Sequence, residues 1–331
     1  MFRDSKLFFI IAETPLHPGS GSEVGLVDLP IQRERYTDFP KIESSGLKGC
    51  IREAFENFNE KINIDNISIS ANDKELISII FGPEEGELHA GAIAFTDAKI
   101  LLFPVKSLKG VFAWITCPIV LERLKRDINV LGLKINELEI DFAKLVKTVP
   151  DNCELLINSK VVLEEFTFDV ESCDKTKQIA EFLSRVIFPE NKDRNIYKFW
   201  REKLKKDLVI ISDDDFMEFV KTSTEVITRI KIDDAVGTVT KDGGNLWTEE
   251  YLPQDTVLYS IAMFSPLRVD KERKDKFEIF KGKSLEEERK IVARIFEQGL
   301  PNVIQIGGNQ TIGKGIARIQ RLENRVEEQD E

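Results

Sequence analysis

The feature that most constrains the fold is a short buried strand followed by a long irregular stretch. Residues 6–12 read KLFFIIA, an apolar run of β-forming residues that Thr14-Pro15 ends, and this run predicts a core strand. Residues 17–40 then contain three glycines and three prolines without any sustained periodicity. Irregular connections of this length are usually functional or disordered, so this loop is the first candidate for a site.

The segment after the loop predicts an amphipathic helix. Ser44 and Ser45 precede apolar residues that are spaced three and four apart, at Leu47, Ile51, Ala54, Phe55 and Phe58. If Ser45 is the N-cap, Lys48 falls in the first turn and Arg52 one turn later, where the helix dipole disfavours cations. These cations and the free backbone N–H groups predict a phosphate cradle, although an ordinary solvated helix face fits equally well.

The rest of the pattern predicts an α+β sandwich of the ferredoxin type. A hairpin is expected over residues 91–105, turning near Asp97-Ala98, and Pro118 is expected to open a helix. Further predicted elements are strands at 110–116 and 256–264, a helix at 284–297 with a Ser284/Glu287 capping box and Gly299 after its end, and closing strands at 302–306 and 315–320.

Two further segments elaborate the single domain that is expected to span residues 1–331. Residues 132–221 are rich in charge and predict an added lobe, with a helix near 177–187. Residues 223–253 carry alternating apolar residues around the sequence KDGG, which predicts a projecting hairpin with a glycine-rich tip. Glu249 and Glu250, at the foot of this hairpin, fit a solvated position. Residues 322–331 are expected to form a frayed acidic tail.

The net charge of −11 argues at first against a nucleic-acid ligand, because phosphate contacts need Lys and Arg. The acids are concentrated, however. Residues 137–174 hold ten acids and three lysines, and residues 323–331 hold five acids. By contrast, residues 99–110 and 305–321 each hold three cations and no acid. The sequence therefore allows a basic face on an acidic protein.

Composition also limits the chemistry and the location. The four cysteines are scattered and there are only two histidines, so neither a zinc site nor a disulfide framework is indicated. No apolar run reaches about 18 residues, and the first residues lack the pattern of a signal peptide. These observations favour a cytoplasmic protein that does not use a membrane.

Residues 307–315 read GGNQTIGKG and come close to a phosphate-binding loop. The spacing G-x-x-x-x-G-K is present, but residue 315 is glycine where that motif needs Ser or Thr to hold magnesium. The pattern therefore does not favour a nucleotide hydrolase. It favours a loop in which the bare backbone of Gly307 and Gly308 approaches a sugar-phosphate chain while Lys314 supplies charge, or simply a tight turn between two strands.

The loop at 17–40 contains His17, Asp28, Arg33 and Arg35, which are the parts of a ribonuclease site. RNA cleavage can use the neighbouring 2′-hydroxyl as nucleophile, which requires a group to take or direct its proton and cations for the phosphate. Asp28 could act as the base or hold a metal ion, while Arg33 and Arg35 could bind phosphate. A cap or turn role for Asp28 and a structural role for His17 stay open.

Six segments in this order resemble one known family: HPGSG, GLVDLPIQRER, SSGLKGCIREAF, AGAIAFTDAKILLFPVKSLKGVFAWITCP, TEEYLP and IQIGGNQTIGKGI. The family is the RAMP-superfamily backbone nuclease subunit, the fourth Cmr subunit, of the type III-B CRISPR Cmr complex, an RNA-silencing effector of antiviral defence. The resemblance runs from about residue 14 to residue 316 and is weakest over residues 132–221.

This resemblance implies a modified ferredoxin-like, RNA-recognition-type RAMP fold whose copies stack head to tail along one CRISPR guide RNA, beside other Cmr subunits. Each copy would push the hairpin at 223–253, called the thumb, between the guide and a single-stranded target RNA. Target RNA paired with the guide would be cut at regular intervals, one cut per copy. Cutting would require a divalent metal ion such as Mg²⁺ or Mn²⁺.

The same resemblance implies site residues. Asp28 matches the acid that the family needs for cutting, as general base or metal ligand, and His17, Glu249 and Tyr251 match further residues of that site. Lys48 matches a position that contacts the guide RNA. Two rival functions stay open: a guide-RNA scaffold whose cuts are made by another subunit, and a guide-processing endonuclease, which would use a catalytic histidine.

Overall fold

A computed structural model of the protein describes residues 4–22, 25, 27–84, 89–190, 195–230 and 246–322. Its helices are α1 Ser44–Glu56, α2 Lys74–Phe81, α3 Pro118–Val130, α4 Asp174–Ile187, α5 Lys198–Lys206, α6 Asp213–Thr222, α7 Lys271–Asp275 and α8 Leu285–Gly299. Its strands are β1 Asp4–Ala12, β2 Lys41–Ile42, β3 Lys61–Ile64, β4 Ile67–Ser70, β5 Ile93–Phe95, β6 Ala98–Lys106, β7 Phe112–Thr116, β8 Thr148–Val149, β9 Lys160–Leu163, β10 Phe166–Asp169, β11 Glu171–Ser172, β12 Leu208–Ile210, β13 Glu225–Ile230, β14 Leu246–Tyr251, β15 Val257–Phe264, β16 Val303–Gln305 and β17 Ile316–Arg321.

Four strands at the centre of the largest sheet lie in the order β6-β15-β1-β17, and each neighbouring pair is antiparallel. Helix α1 follows β1, and α8 connects β15 to β17, which is the arrangement of a ferredoxin-like core. The sheet continues through β7, β12, β8 and β11 on one side, with the parallel pairs β7–β12 and β8–β11. This mixed sheet with connecting helices confirms the predicted α+β class.

Helices pack against both faces of the sheet. On one face, Phe296 of α8 contacts Phe8 of β1 and Phe264 of β15, with ring centroids 6.1 and 5.5 Å apart. On the opposite face, the hydroxyl of Tyr259 of β15 donates a hydrogen bond to Asp127 of α3 at 2.9 Å. Buried aromatic rings contribute large apolar areas, so this packing holds the helices to the central strands.

Most predicted elements of the core are confirmed with small shifts. The predicted strand at 6–12 is β1, and Pro118 opens α3 as its first residue. Ser284 and Glu287 form the predicted capping box of α8. Gly299 is the last residue of α8 instead of lying after it, and its missing side chain leaves room for the ring of Phe55 in α1.

The hairpin predicted over residues 91–105 is wrong. Strands β5 and β6 do not pair with each other; both pair with the same edge of β15, β5 opposite residues 262–264 and β6 opposite residues 257–259. Thr96 and Asp97 lie between β5 and β6 and interrupt the pairing along β15, but the chain does not reverse direction there. The true hairpin joins β6 to β7. The interruption releases the carboxylate of Asp97, which accepts hydrogen bonds from Lys41 Nζ and the Ser44 N–H, each at 2.9 Å.

This carboxylate also corrects the predicted start of α1. The helix begins at Ser44 with Glu43 at the N-cap position, and no side chain of the N-cap residue bonds the helix, so Ser45 is not the cap. Asp97 caps the Ser44 N–H from a distant part of the chain. Lys48 therefore lies in the second turn of α1 and not in the first.

The predicted lobe at 132–221 and the predicted hairpin at 223–253 differ in how they relate to the central sheet. Part of the segment at 132–221 extends the central sheet, because β12 pairs in parallel with β7 and is followed by β8 and β11. Strands β13 and β14 form a separate antiparallel ladder, from Glu225 opposite Tyr251 to Ile230 opposite Leu246. The predicted glycine-rich tip at 231–245 and the tail at 323–331 lie outside the described residues. No helix within the described ranges is long and apolar enough to cross a lipid bilayer.

Candidate active site

Strand β14 organises the site because two other parts of the chain pair with it, one along each edge. Strand β13 pairs with one edge of β14. The loop at 17–40 pairs with the other edge through Leu29, whose N–H donates to the Thr248 carbonyl and whose carbonyl accepts from the Glu250 N–H, each at 3.0 Å. Along the strand, side chains alternate between two sides: Thr248 and Glu250 on one, Trp247, Glu249 and Tyr251 on the other.

Asp28 is held against the first side of β14. The backbone N–H and the hydroxyl of Thr248 both donate to Oδ2 of Asp28, at 2.8 and 2.9 Å, and the Asp28 N–H donates back to the Thr248 hydroxyl at 2.9 Å. The backbone bond first and the hydroxyl bond second hold the pKa of Asp28 below its usual value, so this exposed carboxylate is ionised at neutral pH. Among the described residues, nothing donates to Oδ1.

Glu250 anchors the same loop to the same side of β14. Its carboxylate accepts from Arg33 Nη2 at 2.5 Å, from the Ile31 N–H at 3.0 Å and from the Thr224 hydroxyl at 2.8 Å. Glu249 and Glu250 are each only 5% exposed, so the alternative of a solvated position at the foot of the hairpin is wrong. The loop at 17–40 contacts Glu250 on one side of β14, whereas Trp247, Arg229 and Asn309 contact Glu249 on the other.

Glu249, on the second side, is a buried carboxylate with donors on both oxygens. It accepts from Trp247 Nε1 at 2.8 Å, Asn309 Nδ2 at 3.0 Å, Arg229 Nε at 3.3 Å and the Tyr251 hydroxyl. Trp247 bonds Oε1 and the other three donors bond Oε2, so both oxygens of Glu249 accept hydrogen bonds. Burial alone would raise the pKa of Glu249, but these hydrogen bonds outweigh it and leave the pKa below its usual value.

Tyr251 joins Glu249 to His17. Burial is the main cause that raises the pKa of the Tyr251 hydroxyl, which donates to Glu249. The Tyr251 ring lies 5.4 Å from the His17 ring, centroid to centroid. His17 Nδ1 is 2.7 Å from the Glu250 carbonyl oxygen, which can only accept, so Nδ1 carries a proton. Within the described part of the chain, Nε2 makes no hydrogen bond.

The glycine loop at 306–315 packs against His17 and Tyr251. Gly307 has a φ of 78° and a side chain there would collide with the His17 carbonyl oxygen, so packing inside the protein already requires this glycine. A side chain at Gly308 would meet only an ordinary contact, 3.5 Å from the His17 ring. Lys314 Nζ lies 5.0 Å from the centre of the Tyr251 ring, a cation–π contact.

The predicted phosphate-binding cations divide into two groups. Arg33 donates to Glu250 and to the carbonyls of Asp38 and Val220, at 2.8 and 3.0 Å, so its guanidinium serves the fold. Arg35, two residues later, is exposed and has no hydrogen bond or ion pair with any described residue.

Helix α1 repeats this division, and it packs beside β16, the strand that leads into the glycine loop. Arg52 donates to Glu56 at 2.9 Å and to the Gly82 carbonyl at 2.8 Å, which ties α1 to the end of α2. Lys48 has no ion pair with the residues that the structure describes. Desolvation first and the charge of Arg52 second lower the pKa of Lys48, which means that this cation lacks a counter-charge.

A metal centre built by the protein alone does not fit this site. No group of three or more His, Cys, Asp or Glu in the described ranges is arranged to hold a metal ion. Within the described part of the chain, Oδ1 of Asp28 is an exposed carboxylate oxygen beside β14 that accepts no hydrogen bond. Mg²⁺ is often held by one or two carboxylates together with substrate phosphates and water, so Asp28 could supply one ligand of such a site.

The structure thus brings the four predicted catalytic residues to one strand without joining all of them. His17, Glu249 and Tyr251 form one packed group, whereas Asp28 bonds Thr248 on the other side of β14. Sequence reasoning missed the partners that fix them, Thr248, Arg229 and Asn309. The alternation of residues 247–251 along a strand was the one local signal that separates the two sides. The site offers an ionised oxygen, an imidazole nitrogen without a described partner and cations without a described counter-charge, which suits proton transfer next to a phosphate.

Comparisons with known proteins agree with one another. The family model of the RAMP superfamily matches residues 9–318. The chain is 38% identical over 308 residues to the CRISPR system Cmr endoribonuclease Cmr4 of Pyrococcus furiosus, which covers 92% of each chain. It is 27% identical over 333 residues to the CRISPR system CMR subunit Cmr4 of Saccharolobus solfataricus, which covers 96% of each chain. The crystal structure of oligomeric Cmr4 from Pyrococcus furiosus is similar with a TM-score of 0.67 and 31% identity, over 96% of this chain and 98% of that one.

Proposed function

The chain belongs to the RAMP superfamily, and from this membership we propose that it is an RNA-cutting backbone subunit of a type III-B CRISPR Cmr complex. In this role it binds guide RNA and cleaves complementary target RNA at regular intervals. Its Pyrococcus furiosus relative is named an endoribonuclease, and the similarity extends over nearly all of both chains. The observation that carries the proposal is the Asp28 carboxylate, which is exposed, ionised and free at one oxygen.

The chemistry needs few groups from the protein. The 2′-hydroxyl of a target nucleotide attacks the adjacent phosphorus, the bond from phosphorus to O2′ forms, and the bond to O5′ breaks. Oδ1 of Asp28 takes or directs the hydroxyl proton, and the leaving 5′-oxygen takes up a proton. The lowered pKa of Asp28 keeps the carboxylate ionised but makes it a weak base, so orientation of the nucleophile contributes as much as basicity.

The unpaired cations are the best candidates for contacts with RNA phosphates. We assign this role to Arg35, Lys48 and Lys314, whose charges are not neutralised by a described acid. Arg33 and Arg52 bond groups of the chain itself and support the surfaces that carry the free cations. Gly308 is the glycine whose open backbone is left for a sugar-phosphate chain, since packing does not require it.

Three finer features belong to the same proposal. The hairpin at 223–253 acts as a thumb between guide and target, and several copies of the chain stack head to tail along the guide, beside other Cmr subunits. One solved relative is itself described as oligomeric. Asp28 would hold a divalent cation, Mg²⁺ or Mn²⁺, and this ion would supply charge that neutralises the phosphate.

A guide-processing endonuclease fits the geometry less well. Such an enzyme would use His17, yet this ring is only 9% exposed and Nδ1 is committed to the Glu250 carbonyl. A histidine held this way can accept a proton at Nε2 but is poorly placed to move between acid and base positions.

The decisive experiment compares two aspartates of the same loop in the reconstituted complex. Asp28→Asn should lower the rate of target cutting by about 10²–10⁴-fold, as expected for loss of a proton-transfer group, while guide content and target binding stay unchanged. Asp38→Asn is the matched control, because the Asp38 carboxylate pairs at the surface with Lys221 alone among the described residues, and the substitution should leave cutting intact. Normal cutting by Asp28→Asn would instead favour the scaffold function.

Divalent ions are tested in the same assay with the wild-type complex. Chelation should stop cutting without releasing bound target RNA, and Mg²⁺ or Mn²⁺ should restore it. Cutting at the full rate in the presence of chelator would contradict the metal proposal and leave Asp28 as a base alone.

A further inference from the structure

Asn309 occupies a backbone position that fixes the direction of its side chain. Its φ is 67°, in the left-handed region, where Asn is one of the few residues besides glycine that are tolerated. Its carbonyl accepts hydrogen bonds from the N–H groups of Ile312 and Lys314, each at 3.2 Å. The loop therefore holds Asn309 in one conformation and presents its amide to the interior.

The amide nitrogen of Asn309 donates both of its hydrogens to two predicted catalytic residues, Tyr251 and Glu249. Nδ2 donates to the Tyr251 hydroxyl at 2.7 Å and to Glu249 Oε2 at 3.0 Å. An amide nitrogen has two hydrogens, so this donor is saturated. Tyr251 is fully buried and Glu249 is 5% exposed, which makes each of these bonds costly to lose. The neighbouring Gln310 is exposed and its side chain makes no hydrogen bond with a described residue.

The same loop also holds Tyr251 from its ring face. Lys314 lies over the Tyr251 ring while Asn309 bonds the hydroxyl, so one short loop fixes both ends of this side chain. His17 contacts both Tyr251 and the loop: its ring packs on the Tyr251 ring, and its carbonyl accepts a hydrogen bond from the Gly308 N–H at 3.1 Å. A shift of the loop would therefore move Tyr251 and His17 together.

From these contacts we infer that Asn309 is a positioning residue for target cutting. Its amide fixes the positions of the Glu249 and Tyr251 side chains, and Tyr251 in turn positions the His17 ring. Asn309 belongs to the same loop as Gly308 and Lys314. The inference rests on the proposed function, because those two residues are the ones assigned to RNA phosphate. Asn309 then connects the loop that contacts guide RNA to the side chains of the cutting site.

The test uses the complete reconstituted complex with three variants. Asn309→Gly keeps the positive φ but removes the amide, and we expect the single-turnover cutting rate at saturating target to fall about 10-fold. Asn309→Asp is isosteric but places a second carboxylate beside Glu249, and we expect a fall of about 100-fold. Gln310→Ala, the matched control in the same loop, should cut like the wild type. In all three variants, guide content and the target concentration for half-maximal rate should stay unchanged, which a general loosening of the fold would not allow.

Two results would overturn the inference. One is wild-type cutting by both Asn309 variants. The other is a loss confined to guide or target binding with an unchanged rate at saturation, which would make the loop a binding element only. Asp28→Asn runs in parallel: if it cuts normally, the proposed function fails, whereas an inactive Asp28→Asn beside fully active Asn309 variants rejects only the role of Asn309.

Discussion

The two sides of β14 hold two carboxylates of opposite character. Asp28 is exposed, receives both of its described side-chain hydrogen bonds on one oxygen, and keeps the other oxygen free. Glu249 is buried and receives four donors. Both have a pKa below the usual value, so charge state does not separate them. What separates them is exposure and an oxygen without a described donor: Asp28 has both, whereas Glu249 is buried and accepts hydrogen bonds on each of its oxygens.

This contrast assigns chemistry to the side of Asp28 and architecture to the side of Glu249. Glu249, Tyr251 and His17 form a rigid packed group, called the wall below, which Asn309 and Arg229 hold in place. Substitutions in the wall should therefore cost stability and lower the cutting rate together, whereas Asp28→Asn should change the rate alone. The predictions below measure that separation.

The largest effect on stability is expected at Glu250, which joins the loop to β14. Glu250→Ala leaves the guanidinium of Arg33 and the Ile31 N–H without their buried acceptor, and removal of one partner of a buried ion pair typically costs about 3–5 kcal/mol. Chemical unfolding of the isolated chain measures the loss. Glu218→Ala, an exposed acid on α6, is the control and should change stability by less than about 0.5 kcal/mol. A loss at Glu250 no larger than in the control would show that the loop is not held by this residue.

A smaller loss of stability is expected at Glu249. Glu249→Gln replaces one acceptor oxygen by an NH₂ group that faces donors from Trp247, Asn309 or Arg229, and hydrogen bonds to a charged acceptor contribute about 1.5–3 kcal/mol. We expect a loss of about 2 kcal/mol in unfolding free energy and about 10-fold in cutting rate. Glu165→Gln, on an exposed position, is the control. Equal stability of Glu249→Gln and wild type would break the contrast between the two sides.

The dependence on pH gives a second reading of the same variant. Because the pKa of Glu249 is lower in the folded chain than its ordinary value of 4.5, its ionised form contributes stability that is fully present above that value and is lost as pH falls through the folded pKa. The stability gap between wild type and Glu249→Gln should thus be constant between pH 7 and about pH 5.5 and should shrink below about pH 4.5. A gap that grows on acidification would mean that Glu249 is not held as the anion.

Features of the fold could be predicted from the sequence where the interacting residues lie close together along the chain. The first strand, the Pro118 helix and the capping box of α8 follow from local signals and are confirmed. The capping of α1 by Asp97 was not predictable, because it depends on where an interrupted strand edge lies against β15. The predicted turn at Asp97 failed for the same reason.

The candidate site shows the same limit. The motif around Asp28 named the loop, but Arg33 and Arg35 are the same residue type two positions apart, and only the pairing of the loop with β14 directs one to Glu250 and the other to solvent. Likewise, a sequence can name Glu249 and Tyr251 without telling which lone pairs are occupied. That distinction needs the partners on β13 and the glycine loop, which are some 20 and 60 residues away in the chain.

The smallest expected effect applies the same contrast to two cations of α1. Lys48 has no described counter-charge, while Arg52 is bonded to Glu56 and the Gly82 carbonyl. If Lys48 contacts a guide phosphate, Lys48→Ala should weaken guide binding by only a few-fold at moderate salt and should reduce the slope of log affinity against log salt by about 0.7, the value for one contact to a single strand. Arg52→Ala is the matched comparison and should lower stability without changing that slope, because its guanidinium is spent within the fold. Filter-binding titrations at several salt concentrations measure both slopes. An unchanged slope for Lys48→Ala, or a reduced one for Arg52→Ala, would show that freedom from internal partners does not mark the RNA contacts of this chain.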